Sequence, residues 1–221
     1  MKTHRAALCV LVFTLSLFPH ASARSRQTAA APAPQDKPDS GAVAGSTYSN
    51  KYFGLTLTIP GGWHVLAASV TQEMKEAGKS LVTSDDPAKK AQLEEAVNKT
   101  LILLNASQYT DGAAVPFNPG LLCGAEKVPA PLKDADYMKV LKGTFQYAQV
   151  PVSLERDVYP ETLGGVGFSV IDVKVTLPQG VVLQKYYAHI IKDYALFFIL
   201  TYQTDEQLQT QADALRSVRF Q

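Results

Sequence analysis

The chain has 221 residues, of which 46% are hydrophobic and 19% are charged, and its formal net charge is +1. This is the composition of an ordinary globular protein. The nearly balanced charge argues against a nucleic-acid-binding surface and against an acidic tail.

The first 23 residues have the pattern of a secretory signal peptide. Lys2 and Arg5 precede an apolar stretch, residues 6–18, and Ala21-Ser22-Ala23 matches the small-residue cleavage pattern. We expect cleavage after Ala23 and export to the periplasm or the extracellular space. The alternative is an uncleaved signal anchor, although the stretch is shorter than the ~20 apolar residues that a membrane span needs.

Cleavage would change both the charge and the cysteine count. It removes Lys2, Arg5 and Cys9 but no acidic residue, which leaves a formal charge of −1 and a single cysteine, Cys123. One cysteine forms no internal disulfide, so the fold must be stabilised by its core.

Residues 24–46 are rich in Ala, Pro and small polar residues and contain no aromatic residue. Such a segment buries too little surface to offset the entropy of ordering it. It is predicted to be a flexible linker between the signal peptide, 1–23, and one folded domain, 47–221.

The domain is expected to open with a strand. Phe53, Leu55, Leu57 and Ile59 alternate with small or polar residues, which predicts a half-buried strand. Pro60-Gly61-Gly62 ends it, and Trp63 is expected to pack back onto the sheet as a core residue.

Three helices are predicted in the middle of the chain. The first has Val70, Met74, Ala77 and Leu81 on one face, with Ser69 and Gln72 as a capping box. The second starts at Asp86-Pro87, and its body, 88–97, is expected on the surface. The third has Asp134 as its cap, and one face consists of Tyr137, Leu141, Phe145 and Ala148. Gly143 in its middle is unfavourable in a helix, so either Gly143 makes a close packing contact or the helix is broken there.

Strands dominate the remaining chain. A strand is expected at Leu101–Leu104. Residues 116–131 should form an extended segment that contains a short strand near Leu121–Val128. Four further strands are expected at 152–159, 166–177, 181–191 and 194–202. The last three should form an antiparallel meander.

A final helix, 205–216, follows with a Thr204–Gln207 capping box, and Val218 and Phe220 return to the core. The order predicts an α+β fold, a largely antiparallel sheet of about six to seven strands with helices on both faces.

Several of these segments resemble PsbP-like domains. They are Tyr48-x-Asn50, Tyr52-Phe53-Gly54, Ile59-Pro60-x-x-Trp63 and the final helix before Ser217-Val-Arg-Phe220. That group includes the extrinsic PsbP protein of photosystem II, Mog-type Ran-binding proteins and many exported bacterial proteins. The resemblance implies an α-β-α sandwich over 47–221. It implies no catalytic residue, and no residue here matches a manganese or Ran-binding role.

No catalytic, cofactor-binding or metal site is predicted, and the protein is expected not to be an enzyme. Cys123 stands in an apolar segment without a protease signature, so a buried structural cysteine is the favoured interpretation. His64 and His189 are too few for a zinc site. The acidic residues Glu155, Asp157, Glu161 and Asp172 are expected to be solvated surface groups.

Three functional hypotheses remain open. The favoured one is an exported module that binds a protein or envelope component, with contact surfaces at 115–131 and at the turns near Thr110 and Gly164. The second is a small-molecule or lipid carrier whose pocket, between sheet and helices, is lined by Tyr186, Tyr187 or Tyr202. The third is a hydrolase that uses Cys123 with His64 or His189 as its base.

Overall fold

The computed structural model describes residues 38–79, 83–128 and 131–221, so the expected signal peptide and most of the expected linker lie outside it. The strands in these ranges are β1 (Ala42–Ala44), β2 (Thr47–Asn50), β3 (Leu55–Thr58), β4 (His64–Val65), β5 (Leu101–Ser107), β6 (Gly120–Lys127), β7 (Val152–Leu154), β8 (Tyr159–Leu163), β9 (Val166–Leu177), β10 (Gly180–Ile191), β11 (Tyr194–Tyr202) and β12 (Arg219–Phe220). The helices are α1 (Ala68–Lys79), α2 (Pro87–Lys99), α3 (Asp134–Thr144) and α4 (Asp205–Arg216).

The strands form two antiparallel sheets. The large sheet has eight strands in the order β4-β5-β6-β11-β10-β9-β7, with β8 also paired to β9, and the small sheet has the order β1-β2-β3-β12. The α+β class is therefore confirmed. The strand number exceeds the expected six to seven because β4, β7 and β12 are too short to show an alternating pattern, and because β1 to β3 pair with one another and not with the large sheet.

Each face of the large sheet has its own core. One face packs against α2 and α3 through residues such as Ile171, Tyr186 and Phe197. The other packs against the small sheet and α4 through residues such as Phe198 and Leu215. Because side chains alternate along a strand, β11 can supply both cores with a continuous apolar sequence, as expected for a strand covered on both sides.

The opening strand has the predicted alternation. Phe53, Leu55, Leu57 and Ile59 are all buried and belong to the core beneath the small sheet. Trp63 is only partly buried and packs at the edge of that core, so it contributes less than the central anchor we expected.

The folded region extends further towards the N-terminus than predicted. Ala42–Ala44, inside the segment assigned to the linker, pair with Thr47–Ser49 as a hairpin. Gly45 at its turn has a φ of 60°, which glycine adopts without the steric cost that other residues pay. Three small residues form too short a strand to stand out from an Ala-rich linker, which is why the boundary was misplaced.

Two helix predictions need correction. Ser69 lies inside α1, which begins at Ala68, so Ser69 and Gln72 do not form a capping box. Asp86 caps α2 as predicted, with its carboxylate accepting from the N–H groups of Ala88 and Lys89. However, Leu93 of α2 is buried in the core together with Ala96 and Val97, so the helix body is not confined to the surface.

We predicted that Asp134 caps α3, but its side chain does not cap the helix. Its Oδ1 accepts from the backbone N–H of Ile190 at 2.8 Å, and its Oδ2 lies 3.0 Å from His189 Nδ1. The pairing of β10 with β9 ends at Ala188, so the following backbone on that side is open to a side-chain acceptor. Asp134 thus joins the start of α3 to the end of β10. Gly143 makes no close contact, and α3 ends one residue later, at Thr144.

We expect the contribution of Asp134 to stability to depend on pH. Partial burial raises the pKa of this carboxyl, but the hydrogen bonds from His189 and Ile190 outweigh burial, so the pKa lies below its usual value. A lowered folded-state pKa stabilises the protein fully above the unfolded-state pKa of about 3.9, and the contribution is lost as the pH falls through the folded-state pKa. Asp134→Asn should therefore destabilise the protein at pH 7, and the difference should shrink towards pH 3. Urea unfolding of both proteins across this range measures it; a difference independent of pH would contradict it.

The C-terminal region matches its prediction except at one point. The expected strand at 152–159 is divided into β7 and β8, and residues 160–163 extend β8 where we expected a link. Strands β9 to β11 form the expected meander. Helix α4 has the predicted bounds, and Thr204 and Gln207 form the predicted capping box.

Candidate functional site

The only cysteine in the described residues lies deep in the core. Cys123 is 0% exposed, and burial raises the pKa of its thiol far above the usual value. The candidate bases have other positions: His64 is exposed on the edge strand β4, and His189 is bound to Asp134. The structure does not bring the three residues together as the hydrolase hypothesis requires.

The three tyrosines of the carrier hypothesis do not line one pocket. Tyr186 lies in the core under α3, where its hydroxyl donates to Gln184 Oε1 at 2.8 Å. Tyr187 and Tyr202 lie on the opposite face of the sheet. Neighbouring residues on a strand point to opposite faces, so Tyr186 and Tyr187 cannot share a cavity.

A network of charged and aromatic side chains, which we call the Lys185 network, lies on β8, β9 and β10. Lys185 Nζ is 2.6 Å from Glu161 Oε1, and Glu161 Oε2 accepts from the Tyr187 hydroxyl at 3.1 Å. The Tyr159 hydroxyl donates to Asp172 at 3.0 Å. These contacts join three strands. Because each carboxylate already accepts hydrogen bonds within the network, the network does not present an open binding site.

The remaining acidic candidates are dispersed. Asp157 is 3.4 Å from Lys142 Nζ and its side chain is 99% exposed. Asp172 pairs with Arg156, whose guanidinium also covers the Tyr159 ring, while Glu155 is exposed. Glu155 and Asp157 are exposed, as the sequence predicted, whereas Asp172 is largely buried in its ion pair with Arg156.

An open groove lies between the two sheets, apart from the residues of the Lys185 network. It has a volume of about 390 Å³ and runs between β1 of the small sheet and β5 of the large sheet, with α1 alongside. Its lining comprises Ser40, Gly41, Ala42, Val43, Tyr48, Val65, Leu66, Ala68, Thr71, Gln72, Lys75, Ile102, Leu103, Leu104 and Asn105.

Two strand edges border this groove. Strand β1 is the outermost strand of the small sheet, so one side of its backbone has no strand neighbour in the described residues. Strand β4 pairs with β5 only at Ser107 and Ala106, so the stretch Leu101–Leu104 is likewise left without a neighbouring strand on that side. An unpaired strand edge is a template for another extended chain.

The groove also combines exposed apolar groups with a fixed polar wall. Val43 and Val65 are 43% and 46% exposed, which is high for valine. Helix α1 is held beside β5 by Asn105 Nδ2, which donates to Thr71 Oγ1 at 3.3 Å. Sequence reasoning missed this site because Val43 fell in the expected linker. The Ala42-Val43-Ala44 triplet before Gly45 was the one local signal for a strand.

The expected contact loops are only partly exposed. The segment 115–131 contains buried Phe117 and the whole of strand β6, in which only Lys127 is exposed. Its centre therefore belongs to the core and cannot be a contact surface. The turns at Thr110 and Gly164 are exposed.

The described ranges contain neither a metal-binding cluster nor a membrane-spanning helix. Among residues 38–79, 83–128 and 131–221, no group of three or more His, Cys, Asp or Glu side chains could hold a metal ion. None of the helices in these ranges has the length and apolarity of a membrane span.

The fold is that of an antiparallel α+β sandwich with an open groove at one edge. No protein-family model matches the chain, and no curated protein sequence matches it. Among solved structures it is similar to the cyanobacterial PsbP (CyanoP) of Synechocystis sp. PCC 6803, with 12% identity, coverage of 82% of this chain and 98% of that one, and a TM-score of 0.48.

Two further structures are similar to it. LpqN, involved in cell envelope biogenesis of Mycobacterium tuberculosis, is 16% identical over 84% of this chain and 90% of its own, with a TM-score of 0.41. PA94 of Pseudomonas aeruginosa, a protein of unknown function, is 16% identical over 47% of this chain and 71% of its own, with a TM-score of 0.36. A PsbP is thus among the similar structures, as the sequence resemblance predicted, and the likeness concerns the fold alone.

Proposed function

We propose that this chain is an exported, non-enzymatic domain that binds an extended segment of an envelope protein in the groove between β1 and β5. The observation that carries the proposal is that two strand edges, Ala42–Ala44 and Leu101–Leu104, border one groove and have no strand neighbour on that side within the described ranges. An extended segment placed there would gain main-chain hydrogen bonds from an edge and specificity from the side chains of the groove.

The composition of β1 supports strand addition. Proteins protect edge strands with Lys or Pro residues or by covering them, because an unprotected edge pairs with other chains. Ala42, Val43 and Ala44 include neither a charge nor a proline, and all three are exposed. In the part of the chain that the structure describes, the short length of β1 is the one feature that protects its edge.

Substitution of the exposed valines tests the binding function. We expect Val43→Gln combined with Val65→Gln to reduce capture of the partner from an envelope extract at least about tenfold, since the groove loses its two exposed valine side chains. Exposed substitutions of this kind change stability by only about 0.5 kcal/mol or less. The full chain would be immobilised and the captured proteins quantified by mass spectrometry.

Val181→Gln is the matched control, because Val181 is 41% exposed but does not line the groove. It should capture as much partner as the unsubstituted chain. Equal capture by all three proteins would contradict the proposed site. Retention of a small molecule instead of a protein, lost only in the double variant, would favour the carrier hypothesis at this groove. Export would be tested separately by N-terminal sequencing of secreted material, which should begin at Arg24.

A further inference from the structure

A single charged side chain lines the groove in the described part of the chain, that of Lys75. It extends from α1 to the C-terminal end of α2, where its Nζ donates to Asn98 O at 3.1 Å and to Thr100 O at 2.8 Å. An ammonium group has three N–H donors, so two carbonyl contacts leave one donor for a further acceptor.

Lys75 forms no direct ion pair with a carboxylate within the described ranges. Its neighbour Glu76 pairs with Lys79 at 2.7 Å and also accepts from Gln72 Nε2 at 2.7 Å. None of the ion pairs among the described residues includes Lys75. Partial burial lowers the pKa of Lys75; Lys79 adds to this effect, and the nearby Glu76 carboxylate only partly opposes it. A partly desolvated cation interacts more strongly with an added anion than a fully solvated one does.

We infer that the segment bound in the groove is an extended peptide of a separate protein that carries an Asp or Glu side chain paired with Lys75. This inference rests on the proposed function and adds the chemical class of the partner. We assign the carboxylate to a side chain and not to a chain terminus, because an extended segment can carry Asp or Glu at any position but has a terminal carboxylate only at its last residue.

The chain's own linker matches this charge poorly. Residues 24–37 contain Arg24, Arg26 and Lys37 but only one acidic residue, Asp36. Its net positive charge would be repelled by Lys75, so charge complementarity favours an acidic segment of another protein.

The test is a selection from a displayed library of random heptapeptides on the immobilised full chain. Peptides that alternate apolar residues and carry Asp or Glu at one fixed position should be enriched. Lys75→Met retains much of the aliphatic stem but removes the charge, so it should enrich the apolar pattern without the acidic position. Lys75→Arg should keep the acidic preference, which separates loss of charge from local distortion. Lys139→Met, on the exposed surface of α3, is the charge-matched control and should behave as the unsubstituted chain.

The affinity of one enriched peptide, measured by calorimetry, shows how much its acidic side chain contributes to binding. Replacing its Asp by Asn, or Glu by Gln, should weaken binding to the unsubstituted chain about tenfold and leave binding to Lys75→Met unchanged. An acidic preference that is absent, that persists in Lys75→Met, or that depends on a free peptide carboxyl terminus would overturn the inference. In those cases, loss of peptide binding in the double variant Val43→Gln and Val65→Gln would still support the groove as the binding site. If no peptide is enriched, both the inference and the peptide-binding function are wrong.

Discussion

Gly124→Ala should strongly destabilise the domain, although it adds a single methyl group. Gly124 lies in the central strand β6, directly opposite Phe197 of β11. A Cβ at this position would overlap the Phe197 ring, reaching 2.7 Å from its Cε2, and would lie 3.0 Å from the Leu101 carbonyl oxygen. Phe197 is 2% exposed and surrounded by core residues, so its ring cannot move without disturbing the packing.

We expect the free energy of unfolding to fall by about 1–3 kcal/mol, the usual cost of forcing an extra group into a packed core. Gly120→Ala on the same strand is the control, since its Cβ would meet only the Ala106 carbonyl oxygen at an ordinary 3.7 Å. Combining Gly124→Ala with Phe197→Leu should cost less than the sum of the two single changes. Urea unfolding measures all four variants. Strict additivity, or equal effects at Gly120 and Gly124, would contradict the steric explanation.

The second large effect is expected at a buried hydrogen bond between α3 and the large sheet. The Tyr137 hydroxyl donates to Glu126 Oε2 at 3.1 Å, and both side chains are at most 2% exposed. Burial, reinforced by the adjacent carboxylate, raises the pKa of Tyr137 well above its usual value, so the hydroxyl remains a donor at all ordinary pH values.

Tyr137→Phe removes this donor while keeping the aromatic ring in the core. We expect a loss of about 1–3 kcal/mol in the free energy of unfolding, because a buried acceptor then lacks one of its partners. Adding Glu126→Gln should recover part of this loss, since an amide costs less to bury without that donor than a charged carboxylate does. Tyr109→Phe on the exposed surface should change stability by less than about 0.5 kcal/mol. Equal unfolding midpoints for Tyr137→Phe and Tyr109→Phe would show that the bond contributes nothing.

Both predictions concern positions that the sequence did not single out. The sequence predicted only a short strand near Leu121–Val128 and assigned no role to Gly124 or Glu126 within it. Their importance comes from the partners opposite them, Phe197 and Tyr137, which lie at least ten residues away in the chain. The same holds for Asp134, whose cap-like position before a helical pattern concealed its contacts with β10.

What the sequence by itself determined is local and periodic. The alternation from Phe53 to Ile59, the meander from β9 to β11 and the capping box of α4 each depend on residues a few positions apart, and each was predicted correctly. The α+β class followed from the order of such segments. Local side-chain periodicity records which face of an element is buried, but not which element covers it.

The tertiary structure alone decided the candidate site. The groove joins β1, α1 and β5, whose residues are separated by up to about sixty positions, and strand edges become a binding site only when two sheets place them opposite each other. Likewise, only the faces of β10 show that Tyr186 and Tyr187 belong to different cores. The fold also places Lys75 in the groove, because α1 packs beside the end of α2, where backbone carbonyls accept its hydrogen bonds.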